Sequence, residues 1–247
     1  MIVIDKLCKS FGALKAVDTL DLEVPEGELF CFLGPNGAGK TTTIKMLTGL
    51  MRPDSGRIVL NGIDIRDDSV AAKRIIGYIP DMPYLYDRLT PREYVEFVGD
   101  LYRVPREAVS EAVAREFDRF GLSDYRDALI GDLSHGLRQR LIYVATFLHD
   151  PAIMFVDEPL VGLDPYSIRM IKDLLCARTR AGMTIFLTTH ILAVAEEIAD
   201  RIGIIHRGDL VALGTLEELR AESGRTGSLE DLFLHLTAGA ESPVSAP

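Results

Sequence analysis

Unbroken apolar runs alternate along this chain with segments that carry helical punctuation. Leu29-Phe30-Cys31-Phe32-Leu33 is apolar at every position and predicts a buried strand. The following Thr42 to Leu50 predicts a helix. Pro53-Asp54-Ser55-Gly56 is a turn before a strand at Arg57–Leu60, and Asn61-Gly62 is a strong tight-turn signal. Ile75–Ile79 predicts a further short strand. Upstream, residues 1–33 read as short strands separated by turns, including a hairpin-like Pro25-Glu26-Gly27. Downstream the pattern changes. Thr90-Pro91-Arg92-Glu93 is a capping box with proline at the first helical position, and its helix should run to about Tyr102. Arg106–Phe120, ended by Gly121, predicts a second amphipathic helix, and Gly136–His149 a third.

Strands then return. Ile153–Val156, Thr184–Thr189 and Arg201–His206 read as strands. Between them, helices are expected from Asp164-Pro165 to Gly182 and over Ile191–Ala199. Arg207-Gly208-Asp209 turns into Leu210–Leu213, and two short capped helices follow, from Thr215 and from Ser228. Strands alternating with helices imply an α/β fold with a mainly parallel sheet covered on both faces. The expected division is an α/β core (1–84 and 151–214), an inserted helical block (85–150), a C-terminal helical extension (215–237) and a mobile tail (238–247).

The 247 residues are 47% hydrophobic and 26% charged, ordinary for a globular chain with a substantial core. A net charge of −10 argues against nucleic acid as a partner. The three cysteines, Cys8, Cys31 and Cys176, lack metal-like spacing and read as reduced structural thiols. Met1 to Lys6 begins a strand at once, so no signal peptide is expected. The most apolar long stretch, 141–156, is broken by His149-Asp150-Pro151 and does not predict a membrane span.

Chemistry enters at residues 34–41, Gly-Pro-Asn-Gly-Ala-Gly-Lys-Thr, which fit the phosphate-binding loop G-x-x-x-x-G-K-[ST] between a strand and a helix. Gly34, Gly37 and Gly39 let the backbone turn its N–H groups inward, and the helix N-terminus favours an anion. Lys40 is expected to reach the β- and γ-phosphates and the Thr41 hydroxyl to hold Mg²⁺. Asp157 and Glu158 end an apolar strand. Asp157 suits the Mg²⁺ shell, and Glu158 suits the base that orients and deprotonates a water.

With these motifs in this order the chain resembles the ATP-binding subunits of ABC transporters, over about residues 2–236. Leu133-Ser134-His135-Gly136-Leu137 stands where that family carries its signature, usually Leu-Ser-Gly-Gly-Gln. Gly162-Leu163-Asp164-Pro165 looks like the D-loop, and Thr188-Thr189-His190 ends a strand as the switch histidine does. Phe11-Gly12 stands where the family places an aromatic against adenine. The resemblance implies a P-loop NTPase core with an N-terminal antiparallel β subdomain and an inserted helical subdomain. It implies ATP held by Phe11, by Gly34, Pro35, Asn36, Gly37, Ala38, Gly39, Lys40, Thr41 and Thr42, and by Asp81, Asp164 and, across a dimer, Ser134 and Gly136. It assigns catalysis to Glu158, His190 and Lys40, and Mg²⁺ to Thr41, Asp157 and Asp81. It implies a second ATP-binding subunit, a homodimer in preference to a heterodimer, and a separate transmembrane permease, with the chain peripheral on the cytoplasmic face of the membrane.

Two positions depart from the pattern. His135 adds a side chain inside the signature. Asp81 replaces a glutamine that can both accept and donate, whereas aspartate only accepts. Met82-Pro83-Tyr84-Leu85-Tyr86 follows, where the family lines the groove for a helix of the membrane subunit; the same residues could instead be core of the helical block. The leading expectation is an exporter motor. Two others stay open: an ABC ATPase acting on ribosomes or DNA, and a weakly hydrolysing nucleotide sensor within a heterodimer.

Overall fold

The computed structural model describes residues 1–82, 84–222 and 229–238. Two sheets form the frame. The first is antiparallel, in the order β2 (Leu14–Val24), β1 (Ile2–Phe11), β4 (Ser55–Leu60), β5 (Ile63–Asp64). The second has six strands, in the order β10 (Asp209–Gly214), β9 (Arg201–His206), β3 (Leu29–Leu33), β8 (Thr184–Thr189), β7 (Ile153–Asp157), β6 (Ile76–Ile79). It is parallel except for β10, whose edge pairs antiparallel with β9. The expected α/β architecture, with a mainly parallel sheet and an antiparallel N-terminal sheet, is therefore present.

Alternation along the central strands explains why their sequences are apolar throughout. Phe30, Phe32, Phe155 and Phe186 face one core, shared with the antiparallel sheet and with α1 (Lys40–Leu47). Their rings pack 5.3–5.9 Å from that of Phe186. Leu29, Cys31, Leu33, Met154, Val156, Ile185 and Leu187 face the opposite core. There they meet the helices α3 (Pro91–Tyr102), α4 (Arg106–Arg119), α5 (His135–Phe147) and α6 (Pro165–Arg180). A strand buried on both faces has no polar position to show.

The helix signals act as local chemistry requires. Thr90 Oγ1 accepts from the Glu93 N–H at 3.2 Å, and the Glu93 carboxylate accepts from the Thr90 N–H at 2.8 Å. Thr215 and Glu218 make the same exchange at the start of α8 (Leu216–Glu222). The Asn61-Gly62 turn has both residues at positive φ, 45° and 81°, as a two-residue hairpin loop demands. Among the described residues no helix is long and apolar enough to cross a membrane.

Several expectations are corrected. The first 24 residues form not short strands but a ten- and an eleven-residue strand whose pairing slips at bulges, with Lys6 and Thr19 at φ 46° and 50°. Pro25-Glu26-Gly27 is no hairpin: β2 before it and β3 after it belong to different sheets. α1 starts two residues earlier than expected and stops at Leu47, because Gly49 at φ +67° lets the N–H groups of Gly49 and Leu50 turn back to Met46 and Lys45. α2 (Ser69–Arg74) was not foreseen. It is capped by Asp68, whose carboxylate accepts from the Ala71 N–H at 2.8 Å, but buries only Ala72 and so has no apolar period. α5 ends two residues short of His149, whose Nε2 lies 3.0 Å from the Ile76 carbonyl while its ring stacks on Tyr102. α7 (Leu192–Ile198) and α9 (Leu229–Ala238) complete the fold. Pro83, the Ser228 cap and the tail beyond Ala238 lie outside the described residues.

Candidate functional site

The loop between β3 and α1 is shaped by what surrounds it. A Cβ on Gly34 would stand 2.4 Å from the Ile205 carbonyl oxygen of β9. Gly39 lies at φ +116°, and a Cβ there would stand 2.3 Å from the Ala16 carbonyl oxygen of β2. The glycine requirement at these positions is therefore close approach of neighbouring strands, on top of backbone freedom. The Gly208 N–H, from the β9–β10 turn, donates to the Ala38 carbonyl at 2.9 Å and closes the clamp. Asn36 and Gly37 stand exposed at the tip, Pro35 half-buried, and the chain enters α1 at Lys40 with Thr41 exposed and Thr42 half-buried behind it.

Lys40 is 5% exposed, and its ammonium donates to the Gly34 and Pro35 carbonyls at 2.7 and 3.2 Å. It also lies 3.3 Å from Glu158 Oε1. Among the described residues that oxygen, though buried, accepts no well-directed hydrogen bond. The other carboxylate oxygen, Oε2, lies 2.9 Å from His190 Nδ1. Glu158 thus stands between a cation under the loop and a half-exposed imidazole at the surface. Its backbone is left-handed, φ 48°, a conformation a glutamate rarely adopts.

Asp157 is buried, paired with Thr188 across the β7–β8 ladder. Its Oδ1 accepts from the Thr188 hydroxyl at 2.5 Å and from the Thr41 hydroxyl at 3.3 Å. Burial pushes the Asp157 carboxyl above the ordinary carboxylate range; those two hydrogen bonds pull it back in part, and the nearby charges of Glu158 and Asp81 add to the rise. A hydroxyl and a buried carboxylate beside a lysine-lined loop make an all-oxygen donor set that fits Mg²⁺. A raised carboxyl costs stability wherever it is ionised. The cost is full above its folded pKa and disappears below the unfolded value near 3.9. Asp157→Asn, which keeps the Oδ1 acceptor, is therefore expected to raise stability at neutral pH by about 1 kcal/mol, roughly 2–4 °C in Tm. The gain should shrink as pH falls; thermal unfolding of both forms between pH 7.5 and 4 checks it.

Of the remaining expected residues, Asp81 is coupled electrostatically to Asp157, and the others lie on separate elements. Asp81 follows β6, near enough that its charge and that of Asp157 add to the burial that pushes the Tyr78 hydroxyl up to about 12. Phe11, at the end of β1, is 49% exposed with the Lys9 ammonium 5.7 Å from its ring centre. It is not core. Ser134 caps α5, its Oγ accepting from the Leu137 N–H at 3.4 Å. A Cβ on Gly136 would meet nothing within 4 Å. Asp164 caps α6: it accepts from the Ser167 N–H at 3.0 Å and the Ser167 hydroxyl at 2.5 Å, which hold its carboxyl below the ordinary range. Arg140 of α5 donates to that same hydroxyl at 2.9 Å, tying the signature helix to α6.

Sequence reasoning brought Lys40, Thr41, Asp157, Glu158 and His190 into one expected site, and these side chains do meet. It missed the contact of Thr188 with Asp157, which depends on which residues face each other across two strands far apart in the chain.

The family profile described as ABC transporter matches residues 17–161. The chain is 36% identical over 235 residues to the probable multidrug ABC transporter ATP-binding protein YbhF of Escherichia coli (strain K12), an alignment covering 94% of this chain and 40% of that protein. It is 39% identical over 218 residues to the daunorubicin/doxorubicin resistance ATP-binding protein DrrA of Streptomyces peucetius, covering 88% and 66%. It thus spans less than two thirds of either relative. Among solved structures, an ATP-binding subunit of an ABC transporter superposes with a TM-score of 0.90 at 32% identity, covering 96% of this chain and 99% of that one. On the profile match, these identities and the loop geometry together, the chain belongs to the ABC transporter family, among its ATP-binding domains.

Proposed function

We propose that this chain binds ATP with Mg²⁺ and hydrolyses it as the motor of a transporter whose permease is a separate chain. The observation that carries the reading is the line Lys40–Glu158–His190, with contacts of 3.3 and 2.9 Å, set against a clamped phosphate loop and beside Asp157 and Thr41. In this reading the loop N–H groups and Lys40 bind the phosphates, and Phe11 offers its exposed ring to the base. Thr41 and Asp157, with Asp81 nearby, would hold Mg²⁺, which would supply charge neutralisation at the phosphates. Glu158 takes the proton of the attacking water, and His190 holds the Glu158 carboxylate in place.

Gly136 supports a dimeric site. Among the described residues nothing would meet a Cβ at Gly136, so that position is open to a close approach from outside. A second copy, bringing its phosphate loop to Ser134 and Gly136, fits that opening. Met82, Tyr84 and Tyr86, 64%, 88% and 59% exposed, with Phe97 edge-on to Tyr86, form an apolar surface suited to a permease helix. On that reading, residues 85–150 work as a unit against a core of 1–84 and 151–214, with 215–237 as an extension. The chain is then peripheral to the membrane on its cytoplasmic side. The names of YbhF and DrrA favour drug-like cargo and export.

Affinity purification of the tagged chain from gently solubilised membranes tests the assignment. A polytopic membrane protein at stoichiometric yield is expected; ribosomal or DNA-repair proteins without a membrane partner would overturn it. Lys40→Ala is expected to lose ATP binding, measured by calorimetry.

A further inference from the structure

Thr188 is fully buried at the end of β8, where its preceding neighbours Ile185, Phe186 and Leu187 are all apolar. A hydroxyl placed there must find partners, and it has one proton to give and lone pairs to receive. It gives the proton to Asp157 Oδ1, at 2.5 Å, and receives the Glu158 N–H, at 3.2 Å; its own carbonyl takes the same N–H at 3.1 Å. Thr189, one residue on, uses its hydroxyl elsewhere, accepting the Ile191 N–H at 3.0 Å. One side chain therefore holds both acidic residues of the site. It fixes the carboxylate of Asp157 toward Thr41. It also fastens the backbone of Glu158 where φ is +48° and the side chain is delivered between Lys40 and His190.

We infer that Thr188 is a positioning residue that sets the metal-holding carboxylate and the catalytic glutamate in register with each other. This rests on the reading of Asp157 and Glu158 given above. Valine has nearly the same shape and β-branching but no hydroxyl, so Thr188→Val removes both hydrogen bonds while filling the same space. Serine restores the hydroxyl without the methyl.

The test uses the purified 247-residue chain and two readouts: steady-state ATP hydrolysis with Mg²⁺, and Mn²⁺ binding in the presence of ADP, followed by electron paramagnetic resonance. Thr188→Val is expected to lower kcat by about tenfold or more, to leave the KM for ATP within about threefold, and to weaken Mn²⁺ binding by about tenfold. Thr188→Ser is expected to stay within about threefold of the parent on both readouts. Thr188→Cys, carried in parallel in case valine impairs folding, is expected to follow valine, because a thiol donates only weakly. A parent that turns over ATP while Thr188→Val matches it in kcat and Mn²⁺ affinity overturns the positioning role alone. Serine and valine losing equally overturns it too, since packing would then be the cause. A parent that neither hydrolyses ATP nor binds Mn²⁺ with ADP overturns the ATPase reading and this role with it.

Discussion

Glu158→Gln is expected to cut ATP turnover by roughly 10²–10⁴ while leaving ATP binding intact. Glutamine occupies the same volume and can adopt the same left-handed backbone, so Thr188 still receives the residue's N–H. The amide oxygen can still face Lys40 and the amide nitrogen His190, but the group can no longer take a proton from water. Removing the negative charge 3.3 Å from Lys40 also leaves that ammonium more available to phosphate, so affinity for ATP should hold or rise. Initial rates of phosphate release and calorimetric titration separate the two effects. An unchanged rate would place the base elsewhere. With ATP and Mg²⁺ the same variant is expected to double its mass in light scattering, since hydrolysis no longer reopens the pair; a monomer at high protein and ATP would count against a homodimer.

Gly39→Ala is expected to be a severely damaging single methyl. The added carbon would meet the Ala16 carbonyl oxygen at 2.3 Å, a backbone atom that cannot swing aside as a side chain can. The backbone at φ +116° is also closed to residues with a Cβ. Overpacking and strain together give a loss of about 3 kcal/mol or more, roughly 6–12 °C in Tm, with ATP binding lost as the loop shifts. Gly136→Ala is the matched control. Its Cβ meets open space, so Tm should stay within a degree or so, about 0.5 kcal/mol. A destabilised Gly136→Ala, or an undisturbed Gly39→Ala, would show that the two glycines have been read the wrong way round.

What the chain discloses in advance follows from how locally each feature is encoded. β3, β7 and β8 are legible because burial on both faces leaves them apolar throughout. The helix of Pro91–Tyr102 is legible because its capping box lies within four residues. The phosphate loop is legible because one octet contains it. α2 escapes because six residues with one buried alanine carry no period. The path of 25–27 escapes because a tight turn does not say which sheet the next strand joins. The reason for Gly34 and Gly39 lies in Ile205 and Ala16, 171 and 23 positions away, so the motif is readable while its steric cause is not. Thr188 is the sharpest case: its partner across the ladder is fixed only when β7 and β8 come into register.

The clamp around the phosphate loop has a thermodynamic consequence. Ala16 belongs to the antiparallel sheet, Ile205 and Gly208 to the edge hairpin of the other, and all three bear on the same six residues. The loop is a mortise shared by both sheets rather than an appendage of one. A ligand that binds only the folded loop lowers the free energy of the whole folded state, by about 2.7 kcal/mol at a hundredfold excess over its Kd. Because the loop bears on both sheets, that stabilisation extends to strands that no phosphate touches.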